Sequence, residues 1–238
     1  MTPEHAAHET RRAVVALPSG FMSDAATHEY GTKLGFQMGD FYTAGRGGAL
    51  GDVPADVVVA AFVFFAPEMV RAAWERSAAV LPRREAAQEW AGCLHRWART
   101  QPDHEVDWER VDELLGKIVA GAAVAGAPVF AGWRTLPQPL DAKARTYHHL
   151  NALRELRGGM HGAAVLTVGL TPHQAISAFV PKVLQYLGWT EPAAPADALK
   201  DRWALAEART DRMLGRHFTT LTDAERVELV DLLQRAAS

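Results

Sequence analysis

Asp52-Val53-Pro54-Ala55-Asp56-Val57-Val58-Val59-Ala60-Ala61-Phe62-Val63-Phe64-Phe65-Ala66-Pro67 is the stretch on which the fold class turns. From Val57 to Phe65 no side chain is polar, and the valines suit a buried strand as well as a buried helix. The flanks decide for helix. Asp52 and Pro54 open the segment, with proline at the tolerated first turn, and Pro67 starts a further helix behind it. A helix that is apolar all round belongs at the centre of a core, and that is where this reading places it. The run is also too short to span a bilayer.

Outward from this stretch the helical signals continue and strand signals are scarce. A first helix is expected from Glu4 to Leu17, ended by Pro18-Ser19-Gly20. Ser23-Asp24 caps a second, running to about Leu34, and a short third covers Phe36 to about Thr43. Gly45-Arg46-Gly47-Gly48-Ala49-Leu50-Gly51 reads as a flexible loop. Helices then follow from Pro67 to about Leu81 and from Pro82. In the latter, Ala86, Trp90, Cys93, Leu94 and Trp97 share one face. A further helix runs from Val106 to about Ala125. Pro128 to Pro139 holds three prolines and reads as irregular. A long helix spans Leu140 to Arg157, is interrupted or bent at Gly158-Gly159, and continues from Met160 to Val168. Thr171-Pro172 opens a helix to about Leu187. Glu191 to Ala196 is the best linker, and two helices, Asp197 to about Arg216 and Thr222 to about Arg235, close the chain. The fold class is therefore all-α, a multi-helix orthogonal bundle. Residues 1–190 are read as the main helical domain and 191–238 as a C-terminal helical region packing on it, with a degenerate, winged helix-turn-helix-like character.

Composition bounds the function. The chain has 238 residues, 48% hydrophobic and 22% charged, with net charge -3, an ordinary globular balance. This charge gives no general attraction to nucleic acid. One cysteine, Cys93, excludes an intrachain disulfide and fits a reducing compartment. No basic-then-apolar leader is visible, so the reading is cytoplasmic, with no membrane partner. His5, His8 and Glu9 share a helix face only loosely, and His148 and His149 point about 100° apart if helical. Neither group has zinc spacing, and no metal site is expected. His95, His104, His173 and His217 read as isolated histidines. No nucleophile elbow, dinucleotide fingerprint or kinase loop is present, and the sequence names no cofactor.

The richest segment for chemistry is Tyr147 to His161. On a helix, Asn151, Arg154 and His161 project from one side with Arg157 alongside, and His148 and Glu155 lie two turns apart on a neighbouring side. Two arginines and a histidine suit a carboxylate or phosphate, and the histidine suits proton transfer. The competing reading makes Arg154, Glu155 and Arg157 structural salt bridges at a bend. Arg46, beside a helix start, is a second anion-binding candidate, with a surface arginine on a mobile connector as its alternative. Leu170 to Thr190 carries the strongest DNA-type signal, but the helix after Thr171-Pro172 offers few Arg, Lys, Asn or Gln side chains for base edges.

Two blocks resemble an actinobacterial family usually labelled helix-turn-helix and called SalK-like or EvbL-like. Tyr42-Thr43-Ala44-Gly45-Arg46-Gly47-Gly48-Ala49-Leu50-Gly51, with the apolar helix to Pro67, is similar to a family block Tyr-Phe-Ala-Gly-Arg-Ala-Ala-Pro-Leu-Gly. Leu153-Arg154-Glu155-Leu156-Arg157-Gly158-Gly159-Met160-His161 is similar to Leu-Arg-Glu-His-Arg-Gly-Asp-Gly-His. Leu156 and Gly159 replace that family's His and Asp. The resemblance marks Tyr42, Arg46, His148, Arg154, Glu155, Arg157 and His161, and implies a setting in antibiotic biosynthesis. The leading expectation is a small-molecule site for an anionic or polar organic ligand or substrate. His161 and Glu155 are its catalytic candidates, and Tyr42, Arg46, His148, Asn151, Arg154 and Arg157 its binding residues. The runner-up is a DNA-binding regulator, a homodimer through its last helices. DNA is the disfavoured partner, since the wing-like stretch looks missing.

Overall fold

The computed structural model describes residues 1–37, 39–192 and 196–238. Among them are twelve α-helices, short 3-10 turns and no strand: α1 (Pro3–Ser19), α2 (Ala25–Leu34), α3 (Asp40–Gly48), α4 (Ala55–Phe62), α5 (Pro67–Ser77), α6 (Arg83–Thr100), α7 (Trp108–Gly121), α8 (Pro128–Trp133), α9 (Ala142–Thr167), α10 (Pro172–Phe179), α11 (Lys200–Gly215) and α12 (Asp223–Ala236). The all-α bundle expected from the sequence is the fold observed. No helix among the described residues is long and apolar enough to cross a membrane.

Local chemistry explains five of the helix starts. Asp24 accepts from the backbone N–H groups of Ala26 and Thr27, Asp107 from Arg110, and Asp141 from Ala144. Thr171 with Gln174, and Thr222 with Glu225, form reciprocal capping boxes, each satisfying donors that a helix start leaves free. The bundle is organised around α9, which packs against α1, α6, α7, α8 and α11. Leu150, Leu153 and Leu156 on α9 are fully buried. They join Trp90 and Leu94 of α6, Leu114 and Leu115 of α7, and Phe130 and Trp133 of α8 in one core. Leu214, Phe218, Leu229 and Leu233 from the C-terminal helices belong to the same core. A smaller cluster of Ala164, Val165, Leu170, Ala175, Leu199 and Ala206 ties the end of α9 to α10 and α11.

Several sequence expectations are corrected. The glycine-rich stretch is no loop: Gly45 to Gly48 is the buried second half of α3. A Cβ at Gly45 would overlap the Trp90 side chain, and one at Gly48 the Arg83 carbonyl. The glycines thus allow α3 to approach α6 closely, a role that local propensity does not reveal. The third helix starts at Asp40 rather than Phe36, after Gly39 at φ 86°. Gly158-Gly159 does not interrupt α9, which is one helix of 26 residues. Gly159 instead lets the Gly126 carbonyl and Ala127 approach. Pro128 supplies a first helical turn, so 128–133 is helical within the stretch read as irregular. Pro18 lies inside the last turn of α1.

The deciding stretch is helical, but α4 is not central. Only Val58 and Phe62 are buried on it, and Val57 is exposed. It ends at Val63, where φ is 41° and ψ is -60°, and the Phe64 N–H bonds back to the Phe62 carbonyl. This is a γ-turn of the rare hand, strained for a β-branched residue. The turn aims Phe62 and Phe65 to one side and Phe64 to the other. The helix expected from Thr171-Pro172 to Leu187 stops at Phe179 and gives way to 3-10 and turn structure. The expected linker lies partly outside the described residues.

Candidate functional site

The strained turn packs over α9 between two polar clusters. In the first, Arg46 of α3 reaches Glu155 of α9. Its Nε donates to both carboxylate oxygens at 3.0 and 3.1 Å, and its Nη2 donates to Oε2 at 2.8 Å. Arg154 donates from Nη1 to Glu155 Oε1 at 2.8 Å. The Arg46 guanidinium lies 4.2 Å from the centre of the Phe62 ring, a cation–π contact. Burial works against the Arg46 charge, but Glu155 and Tyr42 together outweigh it and raise the guanidinium pKa. Burial likewise pushes the Glu155 carboxyl upward, while Arg46 and Arg154 more than reverse this and hold it below its ordinary value. Tyr42, one turn from Arg46, stacks on Phe65 with centroids 5.5 Å apart and meets the half-exposed Tyr186 edge-on at 5.9 Å.

In the second cluster, Arg157 donates from Nη2 to Glu207 of α11 at 2.8 Å. His161 is buried, its Nδ1 lies 3.0 Å from Thr210 Oγ1, and its Nε2 is 3.6 Å from Glu207 Oε1. Phe64 and Trp203 flank the ring at centroid distances of 5.5 and 5.0 Å. Burial, and then the Arg157 cation, lower the His161 pKa to about 4.

A third group lies nearer the start of α9. His148 is wholly buried and its Nδ1 is 3.1 Å from Nε2 of His95 on α6. His95 is therefore no isolated surface histidine, because α6 presents it to α9. The pKa of His148 falls to about 3 through burial and the neighbouring His95 and His149. That of His95 falls to about 4 through burial and Arg99. His148 Nε2 and Asn151 Oδ1 are buried without hydrogen-bond partners among the described residues.

The candidate residues thus fall into separate sets. Tyr42, Arg46, Arg154 and Glu155 come together. Arg157 and His161 meet through Glu207. His148 pairs with His95, and Asn151 lies between that pair and Glu155 along α9. Sequence reasoning missed Phe62, Phe65, Tyr186, Glu207, Thr210 and Trp203. The helical spacing of Trp203, Glu207 and Thr210 was the signal that could have placed the last three on one face. Two surface cavities lie elsewhere. One, of about 240 Å³, is lined by Asp24, Thr27, Cys93, Arg96 and Trp97, and the other, of about 150 Å³, by Ala163, Thr167, Arg209, Arg212 and Met213 among others. No cluster of three or more metal-ligating side chains occurs among the described residues.

A family model described as a helix-turn-helix family matches residues 7–238. The chain belongs to this helix-turn-helix family. No curated protein and no solved structure matches it. The match includes all three polar groups. It also includes two successive helices, α9 and α10, joined by the short turn Val168-Gly169-Leu170-Thr171 with Gly169 at φ 74°. In this family member α10 carries no Lys or Arg. Its Gln174 is used in the capping box, and His173 stacks on Trp189 with centroids 4.3 Å apart.

The histidines give the stability a defined pH dependence. His95, His148, His149 and His161 all have folded-state pKa values below the ordinary 6.5. The unfolded chain then binds more protons, and stability falls as pH drops. That stability is complete above about 6.5 and is lost as pH falls, toward 4 for His95 and His161 and toward 3 for His148. Glu155 adds a further loss below the usual carboxylate range. Urea midpoints should decline steadily from pH 7 to pH 4, and His148→Gln should flatten the slope. A level profile between pH 7 and pH 5 would contradict the buried, neutral state of these rings.

Proposed function

We propose that this protein binds a small organic anion, with the anionic group on Arg154 and Arg46 and the organic body against Tyr42, Phe65 and Tyr186. One observation carries the reading. Two guanidiniums share the single carboxylate of Glu155, so the cluster keeps one positive charge in largely buried, aromatic surroundings. An uncompensated charge in such a place is costly, and a ligand carboxylate or phosphate neutralises it with charge-assisted hydrogen bonds. Arg154 and Tyr186 are the partly exposed members through which a ligand enters. The resemblance of the two sequence blocks to SalK-like proteins supports a role for such a ligand in actinobacterial specialised metabolism. In the enzymatic form of this reading, His161 and Glu155 are the catalytic candidates.

Family membership favours a second reading, a DNA-binding regulator that dimerises through its last helices. The local charge supports it less. Between residues 171 and 209, Lys182, Lys200, Arg202 and Arg209 are matched by Glu191, Asp197, Asp201 and Glu207. Arg209 is bonded to Thr167, and Arg202 reaches toward the Gly169 carbonyl.

Benzoate, phenylacetate and phenyl phosphate serve as probes in thermal denaturation. At about 100 times its Kd a ligand adds about 2.7 kcal/mol of stability, so at least one of them should raise the Tm by several degrees, and Arg154→Ala should abolish the rise. If no anion shifts the Tm while the chain binds its promoter region in a salt-dependent way, the regulator reading replaces this one.

A further inference from the structure

The two acids in the middle of α11 face inward and its arginines face out. Glu207 pairs with Arg157, and Asp211 bonds to His8. From Arg202 to Arg216, the residue that caps α11, the exposed charged side chains are therefore all cationic: Arg202, Arg209, Arg212 and Arg216. At about 100° per residue they fall within about 80° of one another, over a length of about 20 Å. Leu205, 47% exposed, lies in the same stripe. The sequence hides this stripe, because the inward acids make the helix read as a mixed-charge face.

The arginines are lightly engaged. Arg209 donates to Thr167 Oγ1 at 2.8 Å, and Arg202 reaches toward the Gly169 carbonyl at 3.4 Å. Among the described residues, Arg212 alone of the four meets a carboxylate, that of the exposed Glu4 at 3.3 Å. Arg209 and Arg212 also stand at the rim of the cavity of about 150 Å³, whose other walls are Ala163 and Thr167 with Ala164 of α9 and Met213 of α11. Thr167 Oγ1 is already used, accepting from Arg209 and donating to the Ala164 carbonyl at 2.9 Å. Among these residues no side chain below the guanidinium rim offers a free hydrogen-bonding group. The notch suits an apolar side chain with carboxylates beside it.

We propose that the groove between α9 and α11 docks an acidic amphipathic helix of a partner protein, with an apolar residue in the notch and carboxylates along the arginine stripe. A nucleic acid duplex matches the cations but brings no apolar side chain to the notch or to Leu205. A second copy of this chain fits less well. Its exposed Val227 lies between Asp223 and Asp231 on α12, but those acids are already paired with Arg226 and Arg235. The proposal goes beyond the anion site at Arg154 and does not depend on it.

The test uses the full chain and a fluorescein-labelled helical peptide of about 18 residues, long enough to span the stripe, with leucines at spacings of three and four between glutamates. Fluorescence anisotropy should show saturable binding that weakens as salt is raised. Arg209→Glu with Arg212→Glu should weaken it about tenfold or more. Ala163→Gln, which fills the notch without changing charge, should weaken it about tenfold. All three positions are exposed, so the fold should survive, and circular dichroism checks that it does. No saturable binding, an Ala163→Gln variant that binds as the parent does, or equal binding of a peptide with alanine for leucine overturns the proposal. So does tighter binding of a random-sequence DNA duplex that responds to the arginine reversals but not to Ala163→Gln. Self-association of the chain alone, abolished by those reversals, also overturns it, since the occupant would then be a second copy.

Discussion

Glu155→Gln is expected to be among the most damaging single substitutions in this protein. The change preserves volume but removes the one carboxylate that, among the described residues, pairs with Arg46 and Arg154. Glu155 is 2% exposed and Arg46 11% exposed in their side chains, so water cannot replace the lost partner. Breaking a buried pair by removing one member typically costs about 3–5 kcal/mol. For a chain of this size that lowers Tm by about 10 °C or more. The same physics predicts an asymmetry. Removing the more buried pair, with Arg46→Met and Glu155→Leu together, should recover part of the loss, because that pair contributes little beyond an apolar replacement, while Arg154, 22% exposed, is left to water. A double-mutant cycle in urea measures the difference. A Tm drop under about 2 °C for Glu155→Gln would show that the cluster is far better hydrated than its burial implies.

That cluster also shows what could be read from the chain alone. Arg46, Arg154 and Glu155 are identifiable by type and by their places on helices, and the all-α class follows from capping residues and apolar spacing. Their mutual pairing is not legible, because it depends on how closely α3 packs against its neighbours. That distance is set by Gly45 and Gly48, which in isolation read as loop residues. The same failure affects His95. Its helix is obvious in the sequence, but its partner His148 lies 53 residues away, and no local pattern encodes the crossing of α6 and α9. Phe64 belongs to an evident apolar run, yet only the γ-turn at Val63 sends it to His161 while Phe62 goes to Arg46. Periodicity gives the faces of helices, whereas a strained turn re-aims side chains in ways that periodicity does not contain.

The glycines turn that argument into an experiment, because one substitution should have opposite signs at two helical positions. A methyl at Gly48 would overlap the backbone carbonyl of Arg83. Backbone cannot rotate away as a side chain can, so α3 and α6 must separate. Around that contact are Ala87, and Arg83 itself, whose guanidinium stacks on Trp74 and bonds to Ser77 and the Trp74 carbonyl. Overpacking of this kind costs about 1–3 kcal/mol, occasionally more, and Gly48→Ala should fall at the upper end. At Gly158, in the middle of α9, a Cβ meets nothing within 4 Å. There the alanine only reduces the backbone freedom of the unfolded chain, and Gly158→Ala should stabilise by about 0.5–1 kcal/mol. Urea denaturation of the two variants beside the parent chain checks both signs. If Gly48→Ala were neutral, the close approach of α3 to α6 would be wrong, and with it the route by which Arg46 reaches Glu155. If Gly158→Ala were destabilising, α9 would need conformational freedom where the structure has a regular helix, and the bend expected from the sequence would return.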